Sequence, residues 1–230
     1  MVICDTLAHL HYYQKTFGIQ EKKMRVLEVG VNTDEFYPLP GAGNQSLFNV
    51  GFYGSFNPLQ GTEKIMEAAF LLKEEKDIRF TIIGSGADFD KIKKLADETY
   101  QLSNVSFHGW IDYRELNTKM NAFDICLGIF GDTKKADLVI PNKIYHYAAV
   151  KKAIISKSTI AIKEVFTDGK DIVLVDGSRE SIAKAILQLK NDVSLQNSIA
   201  ERGYELISGE YNQNKIGATL VSICREALRK

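Results

Sequence analysis

The residues whose side chains are best suited to bind or react with a ligand lie in a segment that follows the fourth of six apolar runs in the sequence. Lys134 and Lys143 bring positive charge to this segment, and Thr133 adds a hydroxyl group. Pro141 suits the first turn of a helix, which would place Asn142 and Lys143 among the free N–H groups at the positive end of that helix. Lysine side chains close to free backbone N–H groups predict an anion-binding site. Either Lys134 or the lysine that follows it could instead be exposed to water without binding an anion.

A glycine-rich loop follows the first apolar run and holds Gly54, Ser55 and Gln60. Glycines at such a place let backbone N–H groups approach a phosphate at the start of the next helix. An ordinary turn between a strand and a helix would use glycine as well. The segment alone therefore leaves both interpretations open.

A second glycine loop, with Gly84 and Gly86, follows the second apolar run. It lacks the third glycine of a dinucleotide-binding fingerprint, because Phe89 stands at that place, and a dinucleotide site is not predicted. Asp88 and Asp90 form a D-x-D pattern that some sugar-nucleotide enzymes use for metal, but acidic residues also suit the start of a helix. We predict no metal site.

Two further positions are candidates for contact with a ligand. Gly109, Trp110 and Ile111 follow the third run, where a flat aromatic side chain could lie beside a base or pack on a neighbouring domain. His146 has no partners at the spacing of a catalytic triad, and a lone histidine is more often structural than catalytic. Neither position by itself identifies a reaction.

Six apolar or β-branched runs precede or follow the loops described above and are expected to form the elements that position them. The runs are mostly continuous rather than alternating, which is typical of strands in a parallel sheet that is covered on both faces. Helical patterns lie between them, and the sequence therefore predicts a doubly wound, Rossmann-like α/β fold that binds ligands at the carboxyl ends of its strands. The runs are Phe48–Tyr53, Ile78–Ile83, Val105–Phe107, Phe123–Ile129, Ala153–Ile155 and Ile172–Val175.

The two ends of the chain differ from this middle part. After Val175 the pattern is helical only, which predicts extra C-terminal helices. At the other end we predict a helix over Asp5–Phe17, a strand near Arg25–Val29 and a turn-rich connector from Tyr37. We expect three parts: the tail of a missing domain in residues 1–23, an interdomain strand and connector in residues 24–46, and the Rossmann-like domain in residues 47–230.

Composition excludes several classes of function. The 230 residues carry 29 Lys+Arg against 29 Asp+Glu, so the chain has no net charge to attract nucleic acid or an anionic membrane. Its three cysteines are far apart with no C-x-x-C spacing, so neither a disulfide framework nor a zinc site is implied, and a reducing cytoplasm fits best. No stretch approaches the roughly 20 apolar residues of a membrane span. We expect a cytoplasmic protein that does not bind nucleic acid.

Taken together, the motifs resemble those of the C-terminal, donor-binding half of a GT-B glycosyltransferase of the group 1 type, glycosyltransferase family four. The order and spacing of the motifs carry the resemblance, which covers nearly the whole chain. The matching segments are Gly30–Pro38, Tyr53–Phe56 with Gly61, Ile83–Gly86, Val105–Gly109, Ala122–Asp124, Phe130–Gly131 and Glu164.

The resemblance implies retaining transfer of a sugar from a UDP- or GDP-linked donor to a glycan or lipid-linked acceptor. It implies no metal and no cofactor besides the nucleotide sugar substrate. The acceptor would be held by a missing N-terminal domain of the same protein, and this chain alone would bind without turnover. Any membrane association would be peripheral, at the inner face, and would come through the missing half.

The sequence departs from the family pattern at three places. Where the family has Arg and Lys in the first glycine loop, this chain has Ser55 and Gln60. Positive charge on the departing diphosphate would then come from Lys134 or Lys143, which we take as the catalytic residues. His146 stands where the family has a glutamate that accepts hydrogen bonds from the donor ribose, and a neutral imidazole can accept one such bond.

The resemblance also assigns the remaining site residues. Trp110 and Ile111 would form the wall for the base, and the diphosphate would receive hydrogen bonds from backbone or hydroxyl groups. Two alternatives remain open: a GT-B epimerase that acts on UDP-sugars, and a non-catalytic subunit that binds sugar nucleotides or serves in assembly. The full set of predicted donor-binding residues is Gly54, Ser55, Gln60, Gly84, Gly86, Gly109, Trp110, Ile111, Phe130, Gly131, Asp132, Thr133, Asn142 and His146.

Overall fold

A small parallel unit opens the chain in the computed structural model, which describes residues 1–41 and 47–228. This unit consists of strand β1 (Val2–Cys4), helix α1 (Leu7–Phe17) and strand β2 (Met24–Val26). Helix α1 begins two residues later than predicted because the side chain of Thr6 caps it, accepting a hydrogen bond from His9 N at 3.0 Å. Strand β1 was not predicted, and β2 ends three residues before the expected end.

The main sheet contains strands β3 (Phe48–Tyr53), β4 (Ile78–Ile83), β5 (Val105–Phe107), β6 (Ile125–Leu127), β7 (Ala153–Lys157) and β8 (Val173–Val175). Within the described ranges these six strands pair in the order β5-β4-β3-β6-β7-β8, and every pairing is parallel. This is a doubly wound order that reverses direction between β3 and β6, which is where such sheets leave a crevice for ligands. The predicted fold class is confirmed.

Helices pack on the sheet and continue past its last strand. The three long helices at the C-terminal end confirm the helical pattern seen in the sequence. In the part of the chain that the structure describes, no helix is both long and apolar enough to cross a membrane. The helices are α2 (Thr62–Leu71), α3 (Phe89–Lys94), α4 (Leu116–Asn121), α5 (Lys134–Leu138), α6 (Asn142–Ala149), α7 (Arg179–Asn191), α8 (Val193–Glu210) and α9 (Gln213–Leu228).

Two apolar cores, one on each face of the sheet, hold these layers together. Ile125 and Leu127 of β6 belong to one core, while Cys126 between them belongs to the other. Successive residues of a strand point to opposite faces, and a strand that is buried on both faces is therefore apolar at every position. This is why the runs in the sequence are continuous.

Strand boundaries differ from the prediction mainly at β6, which is shorter than the run Phe123–Ile129. Phe123 N donates to Met120 O at 3.1 Å, which closes the end of α4 instead of extending the strand. Ile129 N donates to the Ser156 hydroxyl at 3.3 Å, outside the strand ladder. Both side chains remain buried, so burial rather than strand pairing explains the ends of this apolar run.

The first residues of the chain pack directly on the main sheet's own layers. Thr6 Oγ1 donates to Leu138 O at 2.5 Å, and the Glu164 carboxylate accepts hydrogen bonds from Leu7 N and Ala8 N, each at 2.7 Å. Farther along, Val31 N donates to Tyr211 O at 2.9 Å, just before α9. The division into a tail, a connector and a domain stays a prediction.

The connector predicted from Tyr37 is fixed at its start. Tyr37 N donates to Asn117 Oδ1 at 3.1 Å, and Leu39 N donates to Asn121 Oδ1 at 2.7 Å. Phe36, just before it, is buried in one of the two cores. The rest of the connector, residues 42–46, lies outside the described residues.

Candidate functional site

A cavity of about 350 Å³ lies at the carboxyl ends of β3 and β4, beside the reversal of the sheet. We call it the crevice cavity. Tyr53 and Tyr113, which the sequence analysis did not select, form part of its wall. Five residues that the sequence analysis did select line it as well: Gly54, Ser55, Gly84, Trp110 and Ile111.

Close packing between the strand-end loops explains the glycines at this edge. Gly54 N donates to Ile83 O at 3.0 Å, and Gly84 N donates to Gly109 O at 2.6 Å, so these N–H groups are already in use. A Cβ atom at Gly84 would collide with Gly54 O, and the φ of +132° at Gly84 favours glycine. The glycines therefore allow three loops to pack closely against one another, and these loops form the floor of the crevice cavity.

The aromatic side of the crevice cavity is open to solvent. The Trp110 side chain is 73% exposed, although it lies on the cavity wall, and Ile111 beside it is half-buried. An exposed indole ring next to a polar backbone edge offers a stacking surface for a flat ligand. Its position agrees with the predicted base wall, whose role stays a prediction.

Lys143 lies at the start of α6, directly after the Pro141 cap and Asn142, and turns inward rather than toward solvent. Its side chain is only 4% exposed, and Nζ donates to Gln60 Oε1 at 2.6 Å. Nζ also lies 3.7 Å from the centre of the Phe52 ring. A methyl group on Gly54 would lie 2.5 Å from Nζ, so Lys143 stands directly behind the floor of the crevice cavity.

Burial dominates the electrostatics of Lys143. Removal from water disfavours its charged form and holds the pKa of the ammonium well below its usual range. None of the ion pairs in residues 1–41 and 47–228 includes this lysine. The sequence analysis therefore found the residue, but it did not foresee the burial or the pairing with Gln60.

Lys134, the other predicted catalytic residue, faces a different neighbour. It opens α5, a helix that was predicted as a loop, and its Nζ lies 4.3 Å from the centre of the Tyr12 ring of α1. Thr133 caps this helix, its hydroxyl accepting a hydrogen bond from Ala136 N at 3.3 Å. The structure does not bring Lys134 and Lys143 together, and Thr133 already has a capping role.

Asp132 belongs to a charge cluster with two lysines that the sequence analysis missed. Its carboxylate forms ion pairs with Lys64 at 2.7 Å and with Lys157 at 2.8 Å. Hydrogen bonds from Lys157 and Lys64 lower the pKa of Asp132. Lys64 lies on α2 and Lys157 ends β7, and nothing in their local sequence signals that they meet. We call these three residues the Asp132 cluster.

His146 lies behind the wall of the crevice cavity. Its ring stacks on Phe36 at 3.9 Å between centres, and Nδ1 is 2.5 Å from the Tyr53 hydroxyl. The side chain is 8% exposed, and burial lowers its pKa to about 4, which keeps the ring neutral at pH 7. The contact with Tyr53 occupies Nδ1, one of the two ring nitrogens, and the ribose contact of His146 stays a prediction.

Three of the remaining selected residues serve packing. Phe130 is completely buried in one of the apolar cores, and its predicted contact with the donor stays a prediction. A Cβ atom at Gly131 would collide with Pro58 O, and one at Gly86 would lie 2.6 Å from Phe56 N. These residues shape the loops around the site rather than line the crevice cavity.

No group of three or more potential metal ligands occurs among His, Cys, Asp and Glu side chains in the described part of the chain. Asp88 precedes α3 and Asp90 lies in its first turn, where acidic side chains interact favourably with the helix dipole. The D-x-D pattern is thus accounted for by the start of a helix. This position offers no set of ligands for a metal.

A profile of the glycosyl transferases group 1 family matches residues 48–192, which is more than half of the chain. The chain belongs to this family, as the motifs predicted. It is 26% identical over 164 residues to the lipopolysaccharide core biosynthesis glycosyltransferase LpsE of Rhizobium meliloti, covering 71% of this chain and 45% of LpsE. The chain thus spans less than half of the length of that relative.

Solved structures confirm the expected part of the fold. The C-terminal domain of the group 1 family protein LpcC from Francisella tularensis aligns with a TM-score of 0.67 at 26% identity, covering 80% of this chain and 100% of that domain. Anabaena HepE, solved in complex with UDP and glucose, aligns with a TM-score of 0.85 at 16% identity, covering 98% of this chain and 62% of HepE. The chain has the fold of a C-terminal GT-B glycosyltransferase domain.

Proposed function

We propose that this chain is the donor-binding half of a retaining glycosyltransferase and that it holds a nucleoside diphosphate sugar in the crevice cavity. One observation carries the proposal: the amino group of Lys143 is buried directly behind Gly54, and Gly54 lines the crevice cavity together with the exposed Trp110. A buried cation beside a stacking surface suits a ligand with a diphosphate and a base. The UDP complex of HepE, which shares the fold, supports this assignment.

The chemistry requires stabilisation of a leaving group. The bond between the anomeric carbon and the diphosphate oxygen breaks, and its electron pair stays on the diphosphate. An acceptor hydroxyl oxygen bonds to the carbon and passes its proton to the departing diphosphate oxygen. Negative charge develops on the diphosphate, and a preorganised cation such as Lys143 lowers the barrier most when water is excluded. The Ser55 hydroxyl lies at the same edge, accepts a hydrogen bond from Asn57 Nδ2 at 2.9 Å, and can donate its own proton to a phosphate oxygen. No protein nucleophile and no metal is part of this proposal.

The acceptor is proposed to be a glycan or a lipid-linked glycan bound by an N-terminal domain of the same protein. The name of LpsE, a lipopolysaccharide core biosynthesis enzyme, supports a glycan acceptor. A cytoplasmic location, with any membrane contact made outside this chain, belongs to the same proposal.

A non-catalytic sugar-nucleotide-binding subunit is the second candidate. The observation that favours it is the bond between His146 and Tyr53, because it occupies the residue that stands in place of the family's ribose-binding glutamate. Both candidates bind the donor. Only the first one releases nucleoside diphosphate in the full-length protein when acceptor is supplied.

The test of donor binding is calorimetric titration of this chain with UDP, GDP and ADP, with uridine and guanosine as phosphate-free controls, with and without magnesium. We expect one diphosphate to bind, independently of magnesium, and its nucleoside to bind much more weakly. Failure of all three diphosphates to bind would contradict the proposed function.

The position of the base is tested with Trp110→Ala in the same titrations. Loss of a stacking partner costs about 1–3 kcal/mol per base, so we expect the diphosphate and its nucleoside to lose affinity together. Phe17→Ala on α1, another exposed aromatic residue, is the matched control and should change neither. Unchanged affinity in Trp110→Ala would remove this side chain from the site.

A further inference from the structure

A lysine without an acidic partner is an unusual feature of the protein interior. Lys143 is 4% exposed, and its hydrogen bond goes to the neutral amide oxygen of Gln60. In the described part of the chain, no carboxylate forms an ion pair with it. Charged groups are seldom buried without a paired opposite charge, because the loss of hydration is too costly.

The surroundings of Lys143 stabilise an ammonium group only partly. Gln60 Oε1 accepts one of its three possible hydrogen bonds, at 2.6 Å, and the Phe52 ring presents its π-face at 3.7 Å. Both contacts favour the charged form without neutralising it. These surroundings therefore favour a positive charge on Lys143, but they include no negative charge that would balance it.

The nearby titratable groups do not supply this charge. Tyr53, on the same strand as Phe52, has its ring centre 5.8 Å from Nζ, and burial raises the pKa of its hydroxyl far above neutral pH. His146, one turn along α6, is neutral at pH 7 because burial lowers its pKa to about 4. Gln60 comes from the loop before α2 and carries no charge. Since these groups carry no negative charge, a protonated Lys143 would be balanced by an anion from a ligand.

We propose that Gln60 is a positioning residue that holds Lys143 behind Gly54, and that a nucleoside diphosphate sugar binds there together with one proton taken up by Lys143. This inference rests on the proposed function and extends it. The phosphate charge provides the balance that the free chain lacks, and Nζ exchanges or shares its contact with Gln60 for a phosphate oxygen.

The direction of the pH dependence follows from burial. In the free chain the pKa of Lys143 is well below its usual range, and a bound diphosphate raises it again. Between these two values the complex holds more protons than the free chain, so binding takes up a proton and the affinity falls as pH rises. Below the free pKa, Lys143 is already charged and the uptake disappears.

Proton uptake is measured by calorimetry with UDP-glucose, or with GDP-glucose if the nucleotide screen selects guanine. The phosphates of these sugars do not titrate near neutral pH, so they do not disturb the measurement. Titrations between pH 6 and 9 in two buffers of different ionisation enthalpy give the number of protons. We expect roughly one proton per ligand at the maximum for the unmodified chain, and none for Lys143→Met.

Gln60→Glu separates a positioning role from a merely structural one. The new carboxylate would pair with Lys143 in the free chain, so proton uptake by the lysine should vanish and the affinity for the nucleotide sugar should fall ~10-fold or more. Gln60→Leu removes the acceptor without adding charge, and it should shift the uptake to lower pH. Gln188→Glu on the exposed side of α7 is the matched control and should behave like the unmodified chain.

A measurement without ligand keeps the inference testable by itself. The ¹³Cε signal of Lys143 in lysine-labelled chain, assigned with Lys143→Met, reports its titration directly. An ordinary lysine pKa in the free chain would overturn the inference, and so would nucleotide-sugar binding without proton uptake at every pH; both would leave the proposed function intact. Absence of all nucleotide binding would instead refute the proposed function, and the ligand-linked uptake with it.

Discussion

Two sets of lysines, those of the Asp132 cluster and Lys143 by itself, lie near the carboxyl edge of the sheet and differ in their acidic partners. In the Asp132 cluster, one carboxylate pairs with both Lys64 and Lys157, and 67% of the Asp132 side chain is exposed. Lys143, behind the floor of the crevice cavity, is buried and hydrogen-bonded to a neutral amide. Each lysine of the Asp132 cluster has a carboxylate partner, and that carboxylate offsets one of the two positive charges, whereas Lys143 has no acidic partner among the described residues.

The difference between the two sets indicates which lysine is expected to bind a ligand anion. The Asp132 cluster is expected to gain little from an added anion, because each of its lysines already contacts a carboxylate that is largely exposed to water. A buried and unbalanced cation gains much from one, since the interaction takes place away from water. Positive charge alone, which is all that a sequence displays, does not separate these two cases.

The largest effect that tests this comparison is expected from removing each lysine in turn. Lys143→Met should weaken binding of the preferred nucleoside diphosphate by about 3 kcal/mol, which is more than 100-fold in Kd, because a desolvated charge contact is lost. Lys157→Met should weaken the same binding less than about threefold, since this lysine forms an ion pair with the exposed carboxylate of Asp132. Titration calorimetry on both variants measures the contrast.

Nucleoside binding is the internal control for this pair of variants. Because Lys143 is expected to contact phosphate and not the base, Lys143→Met should leave the affinity for the nucleoside nearly unchanged. Equal losses for nucleoside and diphosphate would place Lys143 outside the phosphate site. Equal losses in Lys143→Met and Lys157→Met would remove the distinction between the two sets.

A second effect concerns the acid stability of the crevice side. The pKa of His146 is lowered to about 4 in the folded chain from 6.5, so the unfolded chain binds more protons between these values and stability falls as pH drops from 6.5 to 4. The shift corresponds to roughly 3 kcal/mol. His146→Gln, which retains an acceptor for Tyr53, should flatten this part of the pH profile in denaturant unfolding.

The matched control is His108→Gln, which replaces an exposed histidine after β5. It should leave the slope of unfolding free energy against pH as it is in the unmodified chain. If His146→Gln keeps the full slope, groups other than His146 govern acid unfolding, and the crevice side is not the pH-sensitive one.

The smallest effect is expected at the Asp132 cluster. Asp132→Asn should lower the free energy of unfolding by about 0.5 kcal/mol, because exposed ion pairs contribute little. It also leaves Lys64 and Lys157 without their carboxylate, so weak binding of inorganic phosphate should increase slightly. Thermal unfolding with and without phosphate measures both changes, and a large loss of stability would show that the cluster is structural rather than solvated.

The sequence predicted the parts of the fold that depend on continuous burial. Runs such as Ala153–Ile155 are apolar at every position because both faces of the sheet are covered, and this pattern is local. Short elements were missed for the opposite reason. Strand β1 has three residues and α5 has five, and these segments contain too few residues to show a period.

The site was predicted only in outline. Glycines, Trp110 and Lys143 stood out through their positions after strands, and the structure places several of them around one cavity. The contact between Lys143 and Gln60 spans 83 positions along the chain, and the pairs of Asp132 with Lys64 and Lys157 span 68 and 25. Only the completed fold determines which charges are buried and which ones meet.

The two hydrogen bonds from α1 to Glu164 also have a mechanical consequence. A carboxylate that accepts from both Leu7 N and Ala8 N at 2.7 Å joins the first helix to the segment after β7, and Thr6 adds a third bond to Leu138 O. Movement of α1 away from the sheet would break all three of these bonds. The first helix and the sheet should therefore exchange amide hydrogens as one cooperative unit, and a Glu164→Gln chain should release Leu7 and Ala8 to exchange first.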